Sequence, residues 1–156
     1  MAVEILMDEF DRKIVTALQK NARASLTELS RMVNLSLPAV RTRLLKLQDQ
    51  GYFSSFSAIL DPEKFGKGFT CYCLVQLNGH AKFHDEALEK FILENQDILE
   101  CHRIAGQYEY LLKIITKSSK HMEEILKKLR TVENMVNTNT LTVLHTIKEE
   151  PSVKPD

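Results

Sequence analysis

Three cations and a hydroxyl stand close together on one short stretch of this sequence. Arg41, Thr42, Arg43 and Lys46 fall within six residues, directly after Pro38 and Ala39. Guanidinium, ammonium and hydroxyl groups at that density suit phosphate oxygens and base edges of duplex DNA. The whole chain is balanced, with 21 basic and 21 acidic residues, so net charge carries no nucleic-acid signal. Locally the balance tips. Residues 20, 23, 31, 41, 43 and 46 are basic and only 28 and 49 are acidic over residues 20–49, a net charge of +4. Such a patch implies phosphate binding that weakens steeply with salt. The competing reading of the same residues is a solvated helix face, and the preceding residues decide between the two.

A second polar set lies far along the chain. Gly106-Gln107-Tyr108-Glu109 reads as a tight turn leading into a strand, and Thr138, Thr140 and Thr142 repeat at period two. Backbone amides at Gly106 and Gln107, with threonine hydroxyls, could hold a carboxylate, while Glu109 could take an ammonium. An amino acid offers both. The plain structural reading is that threonine suits strands and glycine suits turns. The last strand is expected to lie away from the hairpin turn within one chain, so that a partner copy would have to bring the two together.

Other reactive residues form no catalytic set. Cys71 and Cys73 put both sulfurs on one strand face, too close together for ordinary zinc ligation, and read as buried structural thiols. His80 and His84 have i, i+4 spacing but no accompanying ligands. There is no phosphate-binding glycine loop and no nucleophile elbow. No enzyme activity, metal or cofactor is expected.

The elements that position these groups follow from periodicity. Residues 36–51 predict a helix in which Val40, Leu44 and Leu47 form the apolar stripe, Ser36 caps the start, Pro38 fits the first turn and Gly51 stops the end. A first helix is expected from residue 8 to about 20, with Phe10, Ile14, Ala17 and Leu18 inward. Ser25-Leu-Thr-Glu28 is a capping box opening a second helix, with Leu26, Leu29, Met32 and Val33 inward. Asn34 tolerates positive φ and supplies the turn. Two helices, a tight turn and a cationic helix make the helix-turn-helix layout, in which the middle helix braces the next across the major groove.

Residues 52–60 alternate and read as an extended connecting strand, with 52–68 as the link between an amino-terminal domain of residues 1–51 and a second domain of residues 69–148. Strands are expected at 69–77, 98–105, 108–115 and 136–147, with helices at 83–94 and 118–130. Ala87 and Leu88 face inward on the first of these helices. The order β-α-β-β-α-β is the split βαβ arrangement, with both helices on one face of a four-stranded antiparallel sheet. The fold class is therefore α+β. Residues 149–156 read as a polar, disordered tail.

A length of 156 residues with 27% charged and 44% hydrophobic residues fits a globular chain of one ordinary or two small domains. No apolar run approaches the roughly 18 residues of a membrane span. An odd number of cysteines without framework spacing, and no leader pattern, point to a reducing cytoplasm. Leu74 beside Val75, and Leu111 beside Leu112, make strands apolar on both faces, whereas helices would cover one. A second copy covering the other face predicts a homodimer that pairs two DNA-binding heads.

Taken together, the chain resembles the Lrp/AsnC (feast/famine) family of transcriptional regulators over about residues 8–148. The resemblance is carried by Asp11-Arg-Lys-Ile14, Leu18-Gln19, Leu29-Ser30, Val33-Asn-Leu-Ser36, Val40, Arg43-Leu44, Leu47 and Gly51-Tyr52. Further along it is carried by Glu100-Cys-His102 and Gly106-x-Tyr-Glu-Tyr-Leu-Leu-Lys113. It implies a helix-turn-helix head and a ferredoxin-like, RAM-type sensing domain, dimers that assemble to octamers, and a free amino acid as effector. The ligand region it implies is Gly106, Gln107, Tyr108, Glu109, Thr138 and Thr140. The sequence departs from the family where Glu109 stands for the usual aspartate and Gln107 for a frequent acidic residue. Leu45 also stands where cations are common. Two other readings stay open: a regulator with a vestigial effector pocket, and a stand-alone metabolite-binding βαββαβ protein.

Overall fold

The computed structural model describes residues 7–78 and 85–155, and the chain divides into two compact units, 1–59 with 148–156 and 60–147. His80, Phe83 and His84 lie outside the described residues.

The first unit holds three helices. Helix α1 (Glu9–Lys20) starts on a capping box in which Asp8 accepts from the Asp11 amide and Asp11 reaches back to Asp8. Helix α2 (Leu26–Val33) starts on the expected box: Ser25 Oγ accepts from the Glu28 amide at 3.2 Å and the Ser25 amide donates to Glu28 Oε2 at 2.7 Å. Asn34 ends it at φ 54°, the left-handed conformation its short amide side chain tolerates. Helix α3 (Leu37–Asp49) is capped by Ser36, has Pro38 in its first turn, and is followed by Gly51 at φ 74°.

The core of this unit is Ile14, Val15 and Leu18 from α1, Leu29 and Val33 from α2, and Val40 and Leu47 from α3. Met32, expected inward, is instead 66% exposed. The i+4 place on the buried stripe after Leu26 belongs to Ser30, whose hydroxyl donates to the Leu35 carbonyl at 2.5 Å and fastens the turn. Residues 52–60 join no ladder, contrary to the extended-strand expectation. Alternation shows that a segment can pair, and a ladder also needs an edge in reach. The carboxy-terminal segment also departs from expectation. It groups with the first unit, and Gln19 Nε2 on α1 donates to Ser152 Oγ at 3.0 Å and to the Val153 carbonyl.

The second unit opens with a 3-10 turn (Pro62–Phe65) and then alternates strands and helices. These are β1 (Phe69–Leu77), α4 (Glu86–Glu94), β2 (Ile98–Arg103), β3 (Tyr110–Thr116), α5 (Ser119–Leu129) and β4 (Met135–Thr142). The sheet order is β2-β3-β1-β4, all antiparallel, as the split βαβ reading requires. Cys71, Cys73, Val75 and Leu77 of β1, with Tyr110, Leu112 and Ile114 of β3, pack with Leu88, Met122, Ile125 and Leu129 of the two helices. Ala87 is exposed, and Leu88 alone of that pair is buried.

The other sheet face carries cross-strand rows of Glu100, Lys113, Tyr72 and Leu141, and of His102, Leu111, Leu74 and Asn139. Its centre is apolar and its β2 edge is polar. His102 and Lys113 both meet Glu100, at 3.1 and 3.4 Å, and hold that carboxyl below its usual range, His102 having the larger effect.

The hairpin between β2 and β3 is wider than expected. Both strands end short of the two-residue turn, and residues 104–109 form the loop, closed by the Ile104 amide donating to the Glu109 carbonyl at 2.8 Å. Gly106 sits at φ 140°, where only glycine is at ease. The last strand likewise stops at Thr142 rather than near residue 147.

Candidate nucleic-acid interface and effector site

Helix α3 buries Val40 and Leu47 and half-buries Leu44, which fixes its roll against α1 and α2. Pro38, Arg41, Thr42 and Lys46 are then exposed, and Ala39 is half-buried among them. The Thr42 hydroxyl donates to the Pro38 carbonyl at 3.0 Å, which leaves its oxygen free to accept. Leu37 and Leu45 are also exposed on this helix, at 46% and 50%.

Arg43 stands apart from the rest of the expected contact set. Its Nη1 donates to Asp8 Oδ2 at 2.5 Å and to Asp11 Oδ1 at 2.7 Å, and its guanidinium lies 5.3 Å from the centre of the Phe10 ring. Asp11 is 1% exposed, a buried carboxylate that needs a cation. The Asp11 carboxylate first, and Asp8 next, raise the Arg43 pKa above its usual value. The Asp8 carboxyl is lowered in turn, by the Asp11 amide first and then by Arg43. Arg43 therefore ties the cationic helix to α1. The free cations of α3 are Arg41 and Lys46.

The hairpin loop and the start of β4 lie at the same end of the sheet, with β1 between them. Val75 pairs with Tyr110 on one side and Thr138 on the other, and the Glu109 amide donates to the Val75 carbonyl at 2.9 Å. The hairpin loop and the start of β4 thus flank the same residue of β1. Gly106 and Gln107 are exposed, and Tyr108 and Glu109 are half-buried.

Much of the polar capacity here is already used. The register between β1 and β4 shifts at Gln76/Leu77, and the Leu77 amide there donates to Glu109 Oε2 at 2.9 Å. Arg130 Nε donates to Thr138 Oγ1 at 3.2 Å. Thr140 donates to Cys73 Sγ at 3.7 Å, and Thr142 Oγ1 lies 3.6 Å from Cys71 Sγ. The threonine row therefore faces the helix-covered side, beside two fully buried thiols. Burial pushes the Cys73 thiol up, and the Thr140 contact offsets this in part.

Glu109→Ala should strand the Leu77 amide at the bulge and cost about 1–2 kcal/mol of stability. Glu109→Gln keeps a carbonyl acceptor and should cost less. Chemical denaturation of both variants checks the order, and equal loss would mean that the hydrogen bond is not what holds the loop.

Sequence reasoning placed Asp8 at the start of the first helix and Asp11 among the family-like residues, but missed their ties to Arg43, and it missed the tie of Arg130 to Thr138 altogether. Asp8 at a helix N-cap with an acidic residue three places on was a readable capping signal. The Arg43 and Thr138 contacts had no local signature. Among the described residues no three histidine, cysteine or acidic side chains gather as a metal cage, and no helix is long and apolar enough to cross a membrane.

Comparison with known proteins places both units. The profile of the AsnC-type helix-turn-helix domain matches residues 7–48, and that of the Lrp/AsnC ligand binding domain matches residues 70–153. A proline dehydrogenase transcriptional activator of Rhizobium radiobacter is 35% identical over 147 residues, covering 92% of each chain. The DNA-binding transcriptional activator DecR of Escherichia coli K12 is 32% identical over 124 residues, covering 80% of this chain and 82% of its own. A Neisseria meningitidis transcriptional regulator solved as an L-Met complex superposes with a TM-score of 0.86 at 27% identity, covering 94% of this chain and 96% of its own. With its three-helix head and its β-α-β-β-α-β unit both matched, the chain belongs to the Lrp/AsnC family of transcriptional regulators.

Proposed function

We propose that this regulator binds duplex DNA through the outer face of α3, with Arg41, Thr42 and Lys46 reaching phosphates and base edges and Pro38 and Ala39 close to the groove. Arg43 serves by holding α3 to α1. The observation that carries this is the division of labour on α3: one cation is spent on two carboxylates of α1, and Arg41 and Lys46 are left exposed. The chain acts as a homodimer, four of which assemble to an octamer, in the cytoplasm, and catalyses no reaction. The apolar rows at Tyr72, Leu74, Leu111 and Leu141 are the surface a second copy would cover. A two-fold dimer presents two heads to two half-sites.

The effector is a free amino acid held near Gly106, Gln107, Tyr108, Glu109, Thr138 and Thr140. The L-Met complex of the Neisseria regulator supports that ligand class. A vestigial pocket is the second reading, and it is favoured by the internal bonds already made by Glu109 and Thr138. Genomic footprinting with and without an amino-acid mixture tests both. Discrete protected sites whose occupancy changes with the mixture are expected. Sites indifferent to it, together with no thermal stabilisation by any of the twenty amino acids, select the vestigial reading. No discrete sites at low salt ends the DNA-binding assignment.

A further inference from the structure

We propose that the second unit carries an anion-binding site at the end of its sheet remote from the hairpin loop, built around Lys67, Asp97 and His121 with Lys117 and Lys128 at its rim, and suited to a compact dianion such as a phosphate or a short dicarboxylate. It does not depend on the effector reading above. This end is where β1 and β2 begin and β3 stops, and Phe69 pairs with Thr116 there.

Two adjoining hollows, of about 360 and 510 Å³, share Gln96, Asp97 and His121. The first is completed by Phe91, Ile125 and Lys128, among others, and the second by Phe65, Lys67 and Lys117. The setting is rigid. The Asp97 amide donates to Asn95 Oδ1 at 3.1 Å, and its carbonyl accepts from the Ile115 amide at 2.9 Å. The His121 backbone is held by its amide donating to the Ser118 hydroxyl at 3.2 Å.

The charges favour an anion. Both acidic residues lining the hollows are already answered within the unit. Lys67 Nζ donates to Asp97 Oδ1 at 2.7 Å, and His121 Nε2 lies 3.6 Å from Asp97 Oδ2. Glu94 faces Lys90 at 3.9 Å. Lys117 and Lys128 are exposed and add positive charge that these acids do not offset. Among the described residues His121 Nδ1 has no hydrogen-bond partner, and because it is shielded from solvent it adds nothing to the binding of an anion in the hollow. The apolar sides of Phe91 and Ile125 border the first hollow, and the free positive charge stands at the rim, on Lys117 and Lys128.

The test uses the full chain, titrated at constant ionic strength with inorganic phosphate and, separately, with malonate. Binding is followed by calorimetry and by the imidazole ¹⁵N resonances of His121, which report from the second unit itself. We expect saturable binding of at least one anion with a Kd of roughly 1 mM or tighter, and a matching shift of the His121 signals. Lys117→Glu should weaken it by roughly tenfold or more, and Lys128→Glu, as an independent second variant, should act in the same direction. Saturation by phosphate alone identifies a phosphorylated ligand, and by malonate alone a dicarboxylate. No saturable His121 shift with either anion, or full affinity in both variants, overturns the proposal.

Discussion

Alanine at both Arg41 and Lys46 is expected to weaken specific duplex binding by about 2–4 kcal/mol, or roughly 30- to 1000-fold, with the fold left intact. Both side chains are exposed on α3, and neither is spent on holding the three-helix core, which rests on Ile14, Leu29, Val40 and Leu47. Loss of the arginine should relax discrimination at one base position if it reaches a base edge. Loss of the lysine should act evenly across sequences and flatten the salt dependence by about one unit of slope, as removal of one phosphate contact does. Gel-shift titrations of wild type, both singles and the double variant at several salt concentrations separate these effects. Lys120→Ala, an exposed cation on α5 in the second unit, should leave affinity almost unchanged. An unchanged affinity in the double variant would mean that α3 does not face the DNA.

That expectation was legible from residue spacing because the α3 stripe is local. Val40 and Leu47 face the core at helical period, so the opposite residues must face out. The same kind of signal marked β1 at Phe69–Leu77, whose burial alternates along its length, and the caps at Ser25 and Ser36. What could not be read was contact between residues far apart in sequence. Arg43 meets Asp8 and Asp11 across 35 and 32 residues, so the helical wheel shows it only as a margin position. That the hairpin loop and the start of β4 share one end of the sheet was missed for the same reason. It depends on β1 lying between β3 and β4 in a register that sets Tyr110 and Thr138 on either side of Val75. Residues 52–60 show the converse failure: a strand-like pattern without a ladder, since alternation specifies a face and not a partner.

Arg43→Ala should cost the head about 2–3 kcal/mol of stability and reduce DNA affinity without removing any DNA contact. The loss is smaller than is usual when one member of a buried ion pair is deleted, because the Arg43 side chain is 29% exposed and that of Asp8 49%. What remains is the Asp11 carboxylate, 2% exposed and stripped of its cation, together with the lost packing of the guanidinium against Phe10. The sign of the pH dependence follows from Asp8. Its folded pKa is depressed, so its contribution is complete above the ordinary aspartate range and is lost as pH falls through the folded value. The gap in stability between wild type and Arg43→Ala should therefore narrow in acid. Arg43→Lys should recover part of the loss, because one ammonium cannot reproduce the guanidinium's packing and hydrogen-bond geometry. The decisive variant is Arg43→Ala combined with Asp11→Ala. Removing both partners abolishes the stranded charge, so stability should return most of the way. If Arg43 acts by bracing α3, DNA affinity should return with it; if the guanidinium itself touches DNA, stability will recover while affinity stays low. Thermal melts and gel shifts on the same four proteins (wild type, both singles and the double) read the two outcomes side by side.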